Sequence, residues 1–530
     1  MKILFVAAEV APFSTVGGLS QVMYFLPRAL RHMKHDVRIF TPKYGVIDEK
    51  NVSGKWKFTM LYEGLRVPVG ESRQVEIQGK DKEDFLICNV KYFHAKESDP
   101  DIYFLENREY YELRANVFGY GDDHIRFALL SKGFLEFFLQ IKRLSEDSEN
   151  KQLEWWPDLI HCNDWHTGYL IEMMRRDPRY APVFEKIPVV YTVHNFAYQG
   201  NFDFRYAPPA DKDNGNDKLL PMLDTKMQKQ NALLRGIRFS DAISTVSPSH
   251  AVEVLTPEFA EGLEEELIKA RGKLAGILNG LDTKEFNPTT DPIIKRRYGI
   301  KTFQRGRAAN KKDLQKLFFL PENENVPVIV SCGRLSTQKG WDLLLTVLPH
   351  VLTIYPGLQI IALGSSDQSN YRDKLQLLKQ DFPQQIGLHL RGDFRLPRKL
   401  YAGGDIILIP SYFEPGGIVA LEALRYGCVP LVRRTGGLND IIEDFNPEKQ
   451  SGNGFSFSSI DPWALYAKIV EALTFYRQKT LWRKLVIDCL ESDFSWEHAA
   501  KEYDLWYRQV IASRKRAVSE TPHPAYKATA

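Results

Sequence analysis

Short runs of consecutive apolar residues recur along the chain and are separated by longer segments with helical periodicity. Runs that are apolar at successive positions are typical of strands buried on both faces of a parallel sheet. In the first half they lie at 3–8, 37–41, 159–162, 189–193, 242–246 and 276–278. In the second half they lie at 328–332, 359–363, 387–390, 405–410, 429–432 and 454–457. This alternation of strand and helix, repeated about six times in each half, predicts two doubly wound, Rossmann-like α/β domains.

The apolar periodicity is interrupted between residues 282 and 327, where prolines and charged side chains accumulate. We therefore predict a first domain over 1–282 and a second over 283–495. The remaining segment, 496–530, begins with an aromatic-rich helical pattern, which we expect to pack back on the first domain, while the polar tail beyond Ser513 frays. Ligands of open parallel sheets bind outside the carboxyl ends of the strands, so the two domains are expected to face a central cleft.

Composition and charge narrow the class of protein. The chain has 530 residues, of which 44% are hydrophobic and 26% charged, and this is typical of a soluble protein with two large domains. Its 70 basic and 67 acidic residues leave a net charge of only +3, which predicts neither a nucleic-acid partner nor a membrane surface. Five scattered cysteines indicate no disulfide framework and favour a reducing cytoplasm, or the plastid stroma in a plant or alga.

Residues that could contact a ligand follow three of the predicted strands in the first half. Gly17 and Gly18 come after the first strand and open a helix, where backbone N–H groups can approach a phosphate closely. Asp164 ends the strand at 159–162, and His194 with Asn195 ends the strand at 189–193. A carboxylate, an imidazole and an amide at one sheet edge suit the hydroxyls of a sugar, although Asp164 alone is as consistent with a helix cap and a lone histidine with a core position.

The second half carries the more specific pattern. Arg334 and Lys339 lie five residues apart in a loop after the strand at 328–332, and Glu414 and Glu422 lie eight apart around a Pro-Gly-Gly turn. Two cations suit a leaving diphosphate, because arginine binds phosphate bidentately and lysine acts as a point charge. Glu414 can meet a sugar and Glu422 a ribose, while the turn at 433–437 offers further backbone N–H groups. The alternative interpretation of the cations is a capped helix with exposed charges.

A metal site is not expected. Asp211 and Asp213 match the Asp-x-Asp pattern of metal-dependent transferases, but they lie in a loop at 206–215 that is rich in proline and glycine, follows no strand and is expected to be mobile. The two cations and the paired polar loops instead favour a transferase that uses a nucleotide-activated sugar.

Taken together, these residues resemble the family of bacterial glycogen synthases and plant starch synthases over nearly the whole chain. The matching segments are Asn163-Asp-Trp-His166, Tyr191-Thr-Val-His-Asn195, Leu278-Asn-Gly-Leu-Asp282, the residues 334–340, Phe413-Glu-Pro415, the residues 433–438 and Asp493-Phe-Ser-Trp496. The resemblance implies the GT-B fold and the transfer of glucose from ADP-glucose to the non-reducing end of an α-1,4-glucan. It also implies retention of configuration and no metal or other cofactor.

The resemblance assigns roles to individual residues. It implies that the glucosyl unit is held by Asp164, His194, Asn279 and Glu414. It implies that the departing diphosphate is stabilised by Arg334 and Lys339. It implies that the phosphates are lined by backbone groups of Gly17, Gly18, Thr435, Gly436 and Gly437.

Several positions depart from the family pattern. Thr15 stands where the family usually has lysine, Gln21 replaces the usual aspartate, and Gly416 replaces the familiar cysteine. The segment 390–394 also lacks the particular aromatic residue that bacterial members place near the nucleotide base. These departures leave the donor open between ADP-glucose and UDP-glucose. Other open hypotheses are a transferase with a small acceptor, a phosphorylase that needs pyridoxal phosphate on a lysine, and a non-catalytic glucan-binding protein with a weakened donor site.

Overall fold

The computed structural model of the protein describes residues 1–47, 56–70, 84–95, 98–147, 155–200, 206–365, 369–393 and 395–520. The chain divides into two compact units. The first contains Met1–Val246, Ala251–Ile277 and Ala499–Ala530. The second contains Ser247–His250 and Leu278–His498. Each unit has its own sheet and its own hydrophobic core.

Within the described residues, a nine-stranded sheet forms the centre of the first unit. Its strands are β1 (Lys2–Val6), β2 (Asp36–Pro42), β3 (Phe58–Gly70), β4 (Asp84–Phe93), β5 (Asp101–Glu106), β6 (Leu159–Asn163), β7 (Val189–Val193), β8 (Ala242–Thr245) and β9 (Leu274–Gly276). Their order is β3-β4-β5-β2-β1-β6-β7-β8-β9. The strands from β5 to β9 in this order are parallel to their neighbours, so their carboxyl ends meet at one edge.

Three strands of this sheet were absent from the sequence prediction. β4 pairs antiparallel with both β3 and β5, which adds an antiparallel margin to the parallel sheet. Most residues of β3 are exposed or only partly buried, and its buried residues lie at 65 and 67–69. The search for apolar runs was aimed at strands that are covered on both faces, and most residues of β3 and β4 are not covered in this way. β5, in contrast, is buried along its whole length and carries the apolar run 102–105, which the prediction did not include. The prediction of about six strands in this half was therefore too low.

Helices cover the sheet of the first unit. They are α1 (Gly18–His32), α2 (Asp123–Asp147), α3 (Gly168–Arg176), α4 (Ala181–Phe184), α5 (Ala232–Phe239) and α7 (Glu264–Ala270). The short helix α6 (Pro248–Glu253) begins with residues that belong to the second unit. α2 buries a row of phenylalanines that includes Phe134, Phe137 and Phe138. Phe134 and Phe137 lie beside Phe40 of β2, which anchors the helix to the middle of the sheet.

The loop at 206–215 is held in place by a buried ion pair. Arg235 of α5 is fully buried, and its guanidinium donates to both carboxylate oxygens of Asp213, at 2.8 and 2.9 Å, and to Glu172. The prediction of a mobile loop is therefore wrong at Asp213. This carboxylate neutralises an arginine, and within the described part of the chain no group of acidic, histidine or cysteine side chains is arranged to hold a metal ion.

The second unit is built on a parallel sheet. Its strands are β10 (Val328–Cys332), β11 (Gln359–Leu363), β12 (Ile386–His389), β13 (Ile406–Ile409), β14 (Val429–Arg433) and β15 (Phe455–Phe457). Their order is β12-β11-β10-β13-β14-β15, and every described pairing is parallel. Its helices are α8 (Phe303–Leu317), α9 (Trp341–Ile354), α10 (Ser369–Asp381), α11 (Leu396–Gly403), α12 (Ile418–Arg425), α13 (Gly436–Ile441), α14 (Pro462–Arg477) and α15 (Lys479–Glu491). The strand positions agree with the apolar runs to within one residue at either end.

The last helix, α16 (Trp496–Glu520), leads back to the first unit, to which its residues from Ala499 onward belong. The hydroxyl of Tyr507 lies 2.7 Å from Nδ1 of the buried His161, and Arg514 donates to Asp241 at 2.9 Å. Because Arg514 is tied down in this way, the helix continues beyond Ser513, where the sequence predicted a frayed tail. Among the described helices, none is both long and apolar enough to cross a membrane.

Candidate active site

In the first unit, the loop after β1 closes on a buried carboxylate. Glu9 is 2% exposed, and it accepts hydrogen bonds from the N–H groups of Val16, at 2.6 Å, and Gly17, at 3.3 Å. Thr15, Gly17 and Gly18 are exposed at the tip of this loop. The N–H of Gly17, expected to line a phosphate, is therefore already paired with Glu9 in this conformation.

Glu9 is a functional candidate that the sequence interpretation missed. Burial raises its pKa from 4.5 to about 7, backbone hydrogen bonds from Val16, Gly17 and Ser20 oppose this shift, and the charge of the nearby Asp164 adds to it. A glutamate within the apolar stretch that continues from the first strand was the signal available in the sequence, since a carboxylate is rarely buried without a partner.

Asp164 and His194 are brought together by neighbouring strands. β6 and β7 pair in parallel, so the residues that follow them emerge side by side. The carboxylate of Asp164 accepts the backbone N–H of His194 at 2.7 Å, and Nε2 of His194 lies 3.1 Å from the side-chain oxygen of Asn163. The Asn195 side chain accepts the N–H of Ala197 and shapes the following turn.

The backbone of Asp164 is strained. Its φ of 54° and ψ of 177° fall in a region that residues other than glycine rarely adopt, at a cost of about 1–3 kcal/mol. The hydrogen bond from His194 holds the residue in this conformation. Burial raises the pKa of Asp164 and lowers that of His194, and each shift is opposed by the charge of the other residue. Strain, burial and mutual charge at the carboxyl edge of a sheet are typical of a functional position.

In the second unit, Lys339 and Glu414 form an ion pair. β10 and β13 are parallel neighbours, and the loops after them place the Lys339 Nζ 2.5 Å from the Glu414 carboxylate. Ser411 donates to the same carboxylate oxygen at 3.1 Å. Both side chains are only partly exposed, at 23% and 16%, so their charges act on each other and on a ligand with little screening by solvent.

Arg334 precedes this pair in the same loop. Arg334 is exposed, and its guanidinium donates to the side-chain oxygen of Gln338. The distance of 3.2 Å is at the upper end of the usual range for an N–H···O hydrogen bond. The structure therefore places Lys339 in contact with Glu414, whereas Arg334 is exposed to solvent.

The glycine turn after β14 packs against the Glu414 loop. The N–H of Gly437 donates to the carbonyl oxygens of Glu414 and Pro415, at 3.0 and 2.9 Å. A Cβ at Gly436 would lie 2.3 Å from the carbonyl oxygen of Glu414, so the turn from Thr435 onward needs glycine to approach this closely. The Gly437 amide, expected to face a phosphate, is committed within the protein in this conformation.

Two further predicted residues lie in the second unit. Glu422 on α12 accepts from the hydroxyl of Tyr401 at 2.7 Å, and burial raises its pKa to about 7 despite that hydrogen bond. Asn279 is 6% exposed, and its side-chain oxygen is buried without a hydrogen-bonding partner among the described residues. Such an oxygen suits a ligand hydroxyl. Phe394, in the segment compared with the base-binding region, lies outside the described residues.

The chain was compared with protein families and with individual proteins. Residues 2–269 match the model of the starch synthase catalytic domain, and residues 313–481 match that of glycosyl transferases group 1. A glycogen synthase of Clostridium novyi (strain NT) is 36% identical over 96% of this chain and 99% of its own length. The chain belongs to the glycogen and starch synthase family.

Other members of the family agree in sequence and in structure. A glycogen synthase of Geobacillus stearothermophilus is 33% identical over 98% of this chain and 99% of its own length. The catalytic domain of starch synthase IV from Arabidopsis thaliana, solved with ADP and acarbose bound, is 28% identical. It superposes with a TM-score of 0.76 over 96% of this chain and 99% of that structure. The resemblance, the GT-B fold and the glycosyltransferase class predicted from the sequence are confirmed.

Proposed function

We propose that the protein transfers glucose from ADP-glucose to the non-reducing end of an α-1,4-glucan, with retention of configuration and without a metal ion. The ion pair of Lys339 and Glu414 carries this proposal. It supplies an ammonium group suited to a departing diphosphate and a carboxylate suited to sugar hydroxyls at one sheet edge. Family membership supports both substrates.

The chemistry needs no protein nucleophile. The leaving phosphate can accept the proton of the acceptor hydroxyl as the new glycosidic bond forms on the same face of the sugar. The protein then contributes positioning and electrostatic stabilisation. We assign the charge of the leaving diphosphate to Arg334 and Lys339, and the glucosyl unit to Asp164, His194, Asn279 and Glu414.

The remaining predicted residues receive supporting roles in this proposal. Asn195 contacts sugar hydroxyls, and Glu422 contacts the ribose. The phosphates approach Thr15, Gly18, Thr435 and Gly436, whereas Gly17 and Gly437 permit close approach without donating their N–H groups. This last distinction follows from the hydrogen bonds that the two amides already make.

The cysteines bear on the cellular compartment in which the protein acts. All five cysteines are free thiols, of which four are buried. Thiols at these positions agree with a reducing compartment, so we propose the cytoplasm, or the plastid stroma in a plant or alga.

The test is incorporation of labelled glucose into glycogen from ADP-glucose and, in parallel, from UDP-glucose, with and without EDTA. We expect incorporation from ADP-glucose that persists in EDTA. Incorporation only from UDP-glucose would reassign the donor, a result that Thr15 in place of the usual lysine makes worth measuring. No incorporation from either donor, with glycogen still bound, would favour a non-catalytic glucan-binding protein.

A further inference from the structure

A cavity of about 350 Å³ opens on the second unit, at the edge of its sheet where the strands begin. Pro327 precedes β10 and Leu358 precedes β11, and both residues line the cavity. Because β10 and β11 are parallel neighbours, their amino ends lie at one edge, opposite the loop that carries Arg334 and Lys339. β10 has five residues and is about 16 Å long, so the cavity is separate from the candidate active site.

The walls of the cavity are fixed by hydrogen bonds from two side chains. The Gln385 amide donates to the carbonyl oxygens of Tyr355 and Leu358, each at 3.0 Å, in the segment between α9 and β11. The Lys311 ammonium donates to the hydroxyl of Tyr476 at 3.0 Å. A ligand would therefore meet groups that are already ordered, and its binding would cost little side-chain entropy.

Two cations line the cavity, and no acidic side chain is among its described lining residues. The Nζ of Lys479 lies 4.1 Å from the centre of the Tyr476 ring. The guanidinium carbon of Arg477 lies 5.6 Å from the centre of the Tyr355 ring. Both rings also line the cavity, and their attraction for a cation helps to hold the two charged groups beside it.

Neither of these cations is neutralised by the protein. Within the described part of the chain, Arg477 and Lys479 form no ion pair, and both side chains are exposed. The Asp405 carboxylate attracts Lys479 from a longer distance, but it already pairs with Lys311 at 2.7 Å. The cavity therefore presents two positive charges to a ligand.

The charge and the apolar part of the lining together indicate the class of ligand. A phosphomonoester carries a charge of about −1.5 to −2 at pH 7, which matches two cations. Arginine binds phosphate bidentately, and lysine acts as a point charge. Ile354, which is 58% exposed, and Pro356 form an apolar wall against which the organic part of an ester can pack. The volume falls within the ~300–1,000 Å³ range of small-molecule sites.

We propose that this cavity binds a small phosphomonoester. Arg477 and Lys479 contact the phosphate, and Ile354 and Tyr355 pack against the organic part. The ligand is not a substrate of the glucosyl transfer, because the cavity lies at the opposite edge of the sheet from Lys339. The site does not depend on the proposed function, and either can be refuted without the other.

The test measures the Kd of glucose 6-phosphate, phenyl phosphate and inorganic phosphate by calorimetry, in the wild-type chain and in variants. Arg477→Gln and Lys479→Gln each remove one cation of the cavity. Lys339→Ala alters the candidate active site instead and reports any binding of the esters there. The matched control is Lys374→Gln, which removes an exposed lysine of α10 that does not line the cavity.

We expect at least one ester to bind with a Kd below about 1 mM, about tenfold tighter than inorganic phosphate. Arg477→Gln and Lys479→Gln should each raise this Kd about tenfold, because each removes a charged hydrogen-bond donor to the phosphate. Lys339→Ala and Lys374→Gln should leave it unchanged.

Three results would overturn the inference. The first is the absence of binding by both esters. The second is a Kd that is unchanged in both cavity variants, which includes the case in which the esters bind at Lys339 instead. The third is inorganic phosphate that binds as tightly as the esters, because the cavity would then recognise the anion alone.

Discussion

The contact between Lys339 and Glu414 shows how two residues 75 positions apart acquire a common role. Each charge reduces the cost of burying the other, and under the proposed function a substrate would meet groups that are already ordered. The sequence placed both residues in loops after strands, and the pairing of β10 with β13 makes those loops neighbours.

Lys339→Ala is expected to lower kcat about 10²–10³-fold, because in the proposed function Lys339 is the preorganised cation that stabilises the leaving diphosphate. The measurement is glucose transfer to glycogen at saturating ADP-glucose, together with a thermal melt that reports folding. Lys312→Ala is the control, since Lys312 forms a surface ion pair with Glu324. A kcat close to that of the wild type in a folded variant would remove Lys339 from the mechanism.

Glu9 connects protonation to stability in a definite direction. Because burial raises its pKa from 4.5 to about 7, the folded chain binds a proton more tightly than the unfolded chain does. This contribution to stability is present at low pH and is lost as pH rises through about 7.

In Glu9→Gln the side chain does not titrate, so the free energy of unfolding of the variant lacks this pH dependence. The free energy of unfolding of the variant minus that of the wild type should therefore be larger at pH 8 than at pH 5, by up to about 3 kcal/mol. Urea unfolding of both proteins at the two pH values measures this change. Glu63→Gln, at an exposed site, should show no such change. A stability difference between Glu9→Gln and wild type that is equal at both pH values would contradict a raised pKa at Glu9.

At the scale of elements, close packing of helices depends on individual glycines. Gly168 begins α3, and a Cβ there would lie 1.8 Å from the carbonyl oxygen of Ala232, where α5 begins. No hydrophobic pattern indicates this requirement, because the neighbouring helix is 64 residues away in the sequence.

Gly168→Ala is therefore expected to destabilise the first unit by about 1–3 kcal/mol, since the two helices must separate to accommodate the methyl group. Gly272→Ala is the matched control, because a Cβ at Gly272 meets no atom within 4 Å. Denaturant unfolding measures both variants. Equal stability of the two would show that α3 and α5 can move apart without cost.

Elements also differ in how far the sequence predicts them. The strands of the second unit are covered on both faces, so their apolar runs mark them directly. The margin formed by β3 and β4 was missed because most of its residues are exposed or only partly buried. The helix α16 was predicted, but its extension to Glu520 depends on a contact between Arg514 and Asp241 that the local sequence does not reveal.

At the scale of the whole molecule, each unit has a separate hydrophobic core. Leu170 is fully buried in the core of the first unit, and Leu408, 3% exposed, lies in that of the second. Burial of this kind stabilises the unit that contains the side chain.

We expect Leu170→Ala and Leu408→Ala each to cost about 2–5 kcal/mol and to lower the unfolding temperature of its own unit more than that of the other. Differential scanning calorimetry of both variants beside the wild type tests this. A single transition shifted equally by either substitution would show that the chain unfolds as one cooperative body.

The sequence by itself determined the α/β class, the two-fold repetition of strand and helix, the family and the loops that carry the candidate residues. These follow from local information, because apolar runs and short motifs lie within a few consecutive residues. Tertiary structure decided which of those residues meet. It paired Lys339 with Glu414 and Asp164 with His194, and it buried Glu9 under the loop that follows β1. It also gave the N–H groups of Gly17 and Gly437 hydrogen-bond acceptors within the protein. Such hydrogen bonds form only when the fold brings the donor and acceptor segments together.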